Sequence, residues 1–560
     1  MCVNVKGDTD VCNTLIKIYS AIILVIAIVL NFFGNLFGIG DIIPTQPKPT
    51  EGTSISETYT ETSETTTEKD LTVEDSSAET SEVTSTLPSS EPSTEDTTKP
   101  SQITTLPQTT KEFGQKVSSA TQLAAASFGG SNTDTFTGIA KGTNGSFVAC
   151  GVSVSTDSDL LNVPDDSWSD NYGFVVKYGK SNLTPEWINA VGSTYGGVRI
   201  DDVAVLKDGS VVAVGYTAAQ DFASENKFAG TIESFVVKYS ADGTPVWKKI
   251  FGGSGSDMFM KVEALGNGFV VGGKTESYDG DFDGSAQTTG SKAVLISFDA
   301  DGNPLWKKYL SGNYASSVDG IATDSDGNIF ITSVTGAYTG DYSQVDGIGK
   351  GYLDTAVIKY SSTGEKLWAK AVAGSGRECF GSIVADGKGG CVVAGYYELT
   401  TNNAPDGTLA DVHNCGDTDA VAIRFNSDGS IRWIRSIGGI SGDVINDIAA
   451  TENGYAVVGY TSSSNRDFAS MGNRGAIDSF VALITPEGNL AQVQGRGGSR
   501  KDMATCVSFT SDGRLIVLGQ TTSSDGGFSG MNSHLSDTLI SILGDTFTGF
   551  ITKYKVTVSW

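Results

Sequence analysis

The sequence predicts an all-β fold: a seven-bladed β-propeller of four-stranded repeats, each about 60 residues long. Three observations predict it. A short junction recurs seven times, four strand-like runs follow each junction, and a tryptophan stands in the fourth run of five units. The junctions read FGG at Phe128, VGS at Val191, FGG at Phe251, LSG at Leu310, VAG at Val372, IGG at Ile437 and RGG at Arg496.

In the second unit the runs are IDDVAVL, SVVAVGYT across a tight KDG turn, SFVVKYS, and PVWKKI after ADG. In the third they are FMKVEAL, FVVGGKT, AVLISF and PLWKKY. Alternating β-branched and aromatic residues, punctuated by D-G and N-G, indicate antiparallel strands. Trp187, Trp247, Trp306, Trp368 and Trp433 are expected to wedge between neighbouring sheets, and the sixth unit has Gln492 in their place. One such sheet cannot bury its own faces, and seven copies without polar capping repeats close into a ring. ATQLAAAS, before the first FGG, stands where a fourth strand belongs and is expected to complete the last blade. Either DTLISIL or GFITKYK supplies that blade's third strand.

FGGSGSDMF, VVAVGYT, YDGDF and FVVKYSADGTPVWKKI carry a family likeness. On these motifs, residues 118–560 resemble bacterial surface proteins built from SBBP-like β-propeller repeats. The resemblance implies an exported or surface location and no settled biochemical activity.

Upstream of the repeats, residues 15–37 read LIKIYSAIILVIAIVLNFFGNLF. As a helix this run rises about 35 Å, against a bilayer core of roughly 30 Å. No small-x-small cleavage site follows it, so an uncleaved transmembrane signal anchor is expected. Lys6 and Lys17 stand at its start and the next basic residue is Lys48. The positive-inside rule then makes residues 1–14 a cytoplasmic stub. Residues 38–117, rich in Ser, Thr, Glu and Pro, bury too little apolar surface to offset ordering entropy and are expected to form a disordered stalk. The expected product is a single-pass cell-membrane protein with its propeller, 118–560, on the extracytoplasmic side.

The formal net charge is −27 with 18% charged residues. The acid is spread over both the stalk segment and the repeats, which excludes nucleic acid as a partner. It also excludes docking on anionic lipid through the folded part. Seven cysteines, without a CxxC pair, are expected to be free thiols.

Connections between the second and third strands are long, whereas the other turns within each unit are short. The long loops therefore share one face with the junctions, and binding sites favour such loops on a rigid scaffold. Six residues after the junction an acid recurs: Asp134, Asp257, Glu378, Asp443 and Asp502, with Gly197 and Ser316 as exceptions. These acids begin the innermost strand. They are candidates for a ligand-binding ring at the channel mouth, or for caps on their own Gly-rich turns.

The loop TESYDGDFDGSAQ places Asp279, Asp281 and Asp283 at alternate positions, the pattern of a calcium loop. Calcium is the one metal the sequence suggests, and no other cofactor is expected. In register, Asp281-Phe282 has counterparts in Asp221-Phe222, Asp341-Tyr342 and Asp467-Phe468, which leaves Asp279 and Asp283 as this blade's own.

SADGTPVW is similar to the Asp box of sialidases, but its glycine falls one place early. The two histidines, His413 and His534, lie in long loops. The expected function is non-catalytic: a binding module that presents a propeller face to a carbohydrate or protein at the cell surface. The alternatives are a carbohydrate-active hydrolase or lyase with paired carboxylates, or a structural scaffold.

Overall fold

The computed structural model describes residues 116–161, 171–219, 222, 231–288, 290–399, 406–412, 416, 418–529 and 546–559. They form seven four-stranded antiparallel sheets, a seven-bladed propeller. The anchor expected at 15–37 and nearly all of the expected stalk lie outside the described residues. Among the described residues no helix is long and apolar enough to cross a membrane.

In blade 1 the strands Asp134–Lys141, Phe147–Ser153, Tyr172–Tyr178 and Pro185–Val191 lie side by side in chain order. Blades 2 to 6 repeat this over 198–251, 257–310, 320–372, 377–437 and 443–496. Blade 7 takes Asp502–Phe509, Arg514–Thr521 and Thr548–Ser559 from the C-terminal end, and Lys116–Phe128 as its outermost strand. ATQLAAAS therefore does close the ring, and GFITKYK is the third strand of the last blade. DTLISIL lies outside the described residues. The closing strand begins at Lys116, two residues before the expected boundary, and pairs from Lys116 with Ser559 to Phe128 with Gly549.

The first strand of every blade lines a shared central channel, so those strands are innermost. They alternate in burial because one face meets the channel. The second and third strands are buried on both faces by the blades on either side. Val211, Val212, Ala213 and Val214, for example, are all inaccessible, and such strands read as continuous apolar runs. Val212, Val214 and Val236 of blade 2 pack with Phe259, Phe269 and Val271 of blade 3.

The tryptophans join each blade to the next at the outer rim. Trp187 Nε1 donates to Ala241 O at 3.3 Å, Trp306 to Ser362 O at 3.1 Å, Trp368 to Ser427 O at 3.0 Å and Trp433 to Pro486 O at 3.1 Å. Each acceptor lies in the last turn of the following blade. Gly243, at φ +90, lies so close under the Trp187 ring that a Cβ there would sit 2.7 Å from it. Cations of the third strand reach the same boundary. Lys177 donates to Ala241 O at 2.9 Å, and the 2% exposed Arg424 donates to Pro486 O and pairs with Asp386, both at 2.8 Å. Where blade 6 lacks the tryptophan, Gln492 Oε1 accepts from Ala120 N at 2.6 Å and holds the closing strand.

Candidate functional site

The five junction acids are buried, at 0% exposure for Asp134, Asp257, Asp443 and Asp502 and 3% for Glu378. None lines the central channel, which corrects their expected place in a ring at its mouth. Each carboxylate turns back into its own junction and accepts the N–H of the second residue after the junction start. The donors are Gly130 to Asp134 at 2.7 Å, Gly253 to Asp257 at 3.0 Å, Gly374 to Glu378 at 2.9 Å, Gly439 to Asp443 and Gly498 to Asp502, both at 2.7 Å. Hydroxyls satisfy the remaining lone pairs: Ser153 and Ser155 donate to Asp134, and Thr275 and Ser277 to Asp257. The same arrangement joins Thr461 and Ser463 to Asp443, and Thr521 and Ser523 to Asp502. Burial pushes Asp134 and Asp443 up to about 6, against these hydrogen bonds. The physical reason is a complete account of the Gly-rich backbone, whose donors would otherwise be buried without partners.

The loop acids continue that account. Asp279 Oδ1 accepts from Ser254 N at 2.7 Å and Asp281 Oδ2 from Gly252 N at 3.1 Å, whereas Asp283 bonds only the next residue's N–H, Gly284, at 2.9 Å. The three carboxylates are thus engaged by different amides. Among the described residues no group of three or more acids, cysteines and histidines could hold a metal ion. The structure therefore does not group Asp279, Asp281 and Asp283, the acids expected to hold calcium, as a set of ligands. Asp279 is also not peculiar to its blade: Asp157, Asp406, Asn465 and Asp525 cap the equivalent amide. Only Asp283 is this blade's own. Phe282, Tyr342 and Phe468 are buried in their loops as expected, while Asp221, His413 and His534 lie outside the described residues.

Sequence reasoning missed a second set of acids. Glu233, Asp354, Asp419 and Asp478 stand first, or for Asp419 second, in the third strands of blades 2, 4, 5 and 6, each buried and each 24 positions before a junction acid. Across the blade boundary Asp257 N donates to Ile232 O at 2.9 Å, Glu378 N to Leu353 O at 2.8 Å and Asp502 N to Ile477 O at 3.0 Å. Acids 24 residues apart thus become neighbours. Asp354 and Glu378 perturb each other's protons directly. The recurring spacing was the available signal.

The central channel, about 370 Å³ in volume, is lined by Asp202, Lys261, Glu263 and Asp447 among many polar groups. In six blades a bulge interrupts pairing of the innermost strand, for example between Ile200 and Asp202, and re-aims its side chains. Asp202 accepts from Val262 N of the next blade at 3.0 Å, and Asp447 from Val507 N at 2.7 Å. Burial opposes charge on Lys261, but Asp202 and Asp447 outweigh it and keep it protonated. Burial, then the charge of Asp202, pushes Glu263 up to about 8. Asp202 and Asp447 thus stitch blade to blade along the channel wall.

On the long-loop face the picture differs. The exposed aromatic residues among those described are Tyr195, Tyr278, Tyr314, Tyr338 and Tyr352. All five lie in junctions or long loops of blades 2, 3 and 4.

No protein-family model matches the chain. Among curated proteins it is similar to the regulatory protein FlaEY of Caulobacter vibrioides, 25% identical over 193 residues, which is 34% of this chain and 20% of that protein. It is also similar to an uncharacterized WD repeat-containing protein of Acanthamoeba polyphaga mimivirus, 23% identical over 340 residues, 48% of this chain and 24% of that protein. The chain thus spans a quarter or less of the length of these relatives. Among solved structures, a protein of unknown function from Dyadobacter fermentans is similar at 12% identity and TM-score 0.38, over 78% of this chain and 99% of that one. The Dos1 propeller is similar at 13% identity and TM-score 0.38, over 79% and 95%. The seven sheets themselves establish the architecture, and the likeness to SBBP-like repeats stands on its motifs alone.

Proposed function

We propose that this chain is a membrane-anchored binding module of the cell surface. Residues 15–37 hold it in the membrane, the Ser/Thr/Glu/Pro-rich segment acts as a stalk, and the long-loop face meets a carbohydrate or protein ligand outside the cell. The observation that carries this reading is the exposure of five tyrosines on the junctions and long loops of blades 2, 3 and 4. Tyrosine offers a large, rigid, amphipathic contact area at low entropic cost, and exposed aromatic patches mark interaction sites. The module works by binding and not by hydrolysis: the acid pairs at the blade boundaries are buried, whereas a glycosidase needs two carboxylates flanking a substrate bond.

The test is a glycan array and a panel of immobilised extracellular proteins, both probed with the purified chain. At least one class of ligand binds, and binding falls when Tyr338 is replaced by alanine. Silence in both panels overturns the reading.

A further inference from the structure

Blade 4 departs from the repeat at three points. Its junction acid is replaced by Ser316, its innermost strand is only Gly320–Thr323, and its junction latch runs backwards. In blades 1, 3, 5, 6 and 7 a loop Asp or Asn accepts a junction N–H. In blade 4 the loop Asp341 still accepts from Ser311 N at 2.8 Å, but at the position of the latch shared by those five blades the junction residue Asn313 is the acceptor, from Tyr338 N at 3.0 Å, Thr339 N at 3.3 Å and Thr339 Oγ1 at 3.2 Å.

The reversal ties the loop carrying Tyr338 to the junction carrying Tyr314, and the two rings stand 6.2 Å apart at 51°. Gly336 lies between Tyr352 O and Tyr314 Cβ, and Tyr338 packs so closely on Gly349 that a Cβ there would lie 2.4 Å from its own. The tyrosines are exposed yet fixed, which lowers the ordering cost of binding. A local break in an otherwise consistent repeat is where function is expected.

The surroundings of the patch select its partner. In the junctions and long loops of blades 3 and 4, Glu276, Asp279, Asp283, Asp341 and Asp346 are exposed, against a single exposed lysine, Lys350, among the described residues. An aromatic centre inside a charged rim is the anatomy of a protein interface.

Resting on the binding-module reading, we infer that the blade 4 tyrosines and this acidic rim dock a basic protein segment. Its Arg or Lys side chains lie over the tyrosine faces and against the rim carboxylates. A neutral glycan makes no use of the rim, and an anionic partner is repelled by it.

The full chain in detergent micelles is used to select peptides from a phage-displayed random library, with an array of neutral and acidic glycans probed in parallel. The selected peptides carry an excess of Arg and Lys, and their binding weakens steeply with salt. Tyr314→Ala or Tyr338→Ala lowers affinity about tenfold, and Asp283→Asn with Asp346→Asn reduces the salt dependence. Leu305→Ala, on the outermost strand of blade 3, changes neither, and melting curves show each variant folded. Peptides without basic excess, or binding indifferent to both tyrosines, overturn the inference. Glycan binding lost in the tyrosine variants, with no peptide selected, overturns the basic partner and leaves the binding-module reading standing. Silence from peptides and glycans alike overturns both.

Discussion

Glu378, the second residue of the innermost strand of blade 5, faces Asp354, which opens the third strand of blade 4. Their backbones meet where Glu378 N donates to Leu353 O at 2.8 Å, and both side chains are buried. Burial, and after it the charge of Asp354, pushes Glu378 up to about 8. Asp354 is raised as well, by burial first. Two carboxyls enclosed together cannot both ionise without loss, so the pair keeps a proton at neutral pH.

That proton makes stability depend on pH. A carboxyl raised from 4.5 to about 8 binds more protons in the folded than in the unfolded chain throughout that window. Stability is therefore greatest below the window and falls as pH rises through it. Asp134 and Asp443, raised from 3.8 to about 6, add the same sign over the lower part of the range. The melting temperature is expected to decline from the acid to the alkaline end. Glu378→Gln keeps an acceptor for Gly374 N, flattens the slope and melts higher than the parent at the alkaline end. Parallel pH profiles for the two proteins would remove Glu378 from this role.

The tryptophans make a graded prediction. Trp368 Nε1 donates to Ser427 O at 3.0 Å, whereas the buried Trp247 Nε1 has no hydrogen-bond partner. Trp368→Phe loses a hydrogen bond and is expected to cost about 1 kcal/mol beyond the change in packing. Trp247→Phe removes an unsatisfied donor and is expected to be close to neutral. Urea melts of both variants read the difference, and equal losses would contradict it.

The repeat made the architecture legible because each blade restates it: the junctions, the D-G turns and the spacing of Trp187 to Trp433 all mark one unit. Closure was legible too, since ATQLAAAS had no other sheet to join. The roles of the acids were less so. A carboxylate at the start of an innermost strand reads the same whether it faces a channel or folds back on Gly130 or Gly253. Only the backbone course separates the two. Asp279 reads as peculiar to its blade because Asn465 holds the same position without a charge, and Asp157 precedes Asp159-Leu160 rather than an Asp-aromatic pair. Pairs such as Asp419 and Asp443 meet only after the chain passes from one blade to the next. Tyr195 and Tyr314 share one junction position, and Tyr278 and Tyr338 one loop position, but their exposure depends on packing that the repeat does not spell out.

The loop acids can be separated by stability alone. Asp279→Ala removes the acceptor for Ser254 N and is expected to cost about 1 kcal/mol, as for a lost turn or helix cap. Asp283→Ala leaves the junction untouched and falls within about 0.5 kcal/mol of the parent. Calcium or a chelator is expected to shift the melting temperature of neither variant nor of the parent. A calcium-dependent rise in the parent that is lost on Asp279→Ala would restore the metal site.

Ring closure sets where the folded unit begins. Val117 is 2% exposed and its N–H donates to Asn453 O at 2.8 Å in blade 6. Phe128, at the other end of the closing strand, packs against Phe136 and Phe174 with ring centroids 5.2 and 5.0 Å away. A chain begun at residue 118 loses Val117 and its bond, and is expected to be less stable than one begun at 115 by about 2 kcal/mol. A chain begun at 129 loses the whole strand. The edge of Thr548–Ser559 is then unpaired, and an open edge templates association with other chains. That truncation is expected to melt early and to elute as oligomers or aggregates on size-exclusion chromatography with light scattering. A stable monomer begun at 129 would show that the ring does not need its N-terminal strand.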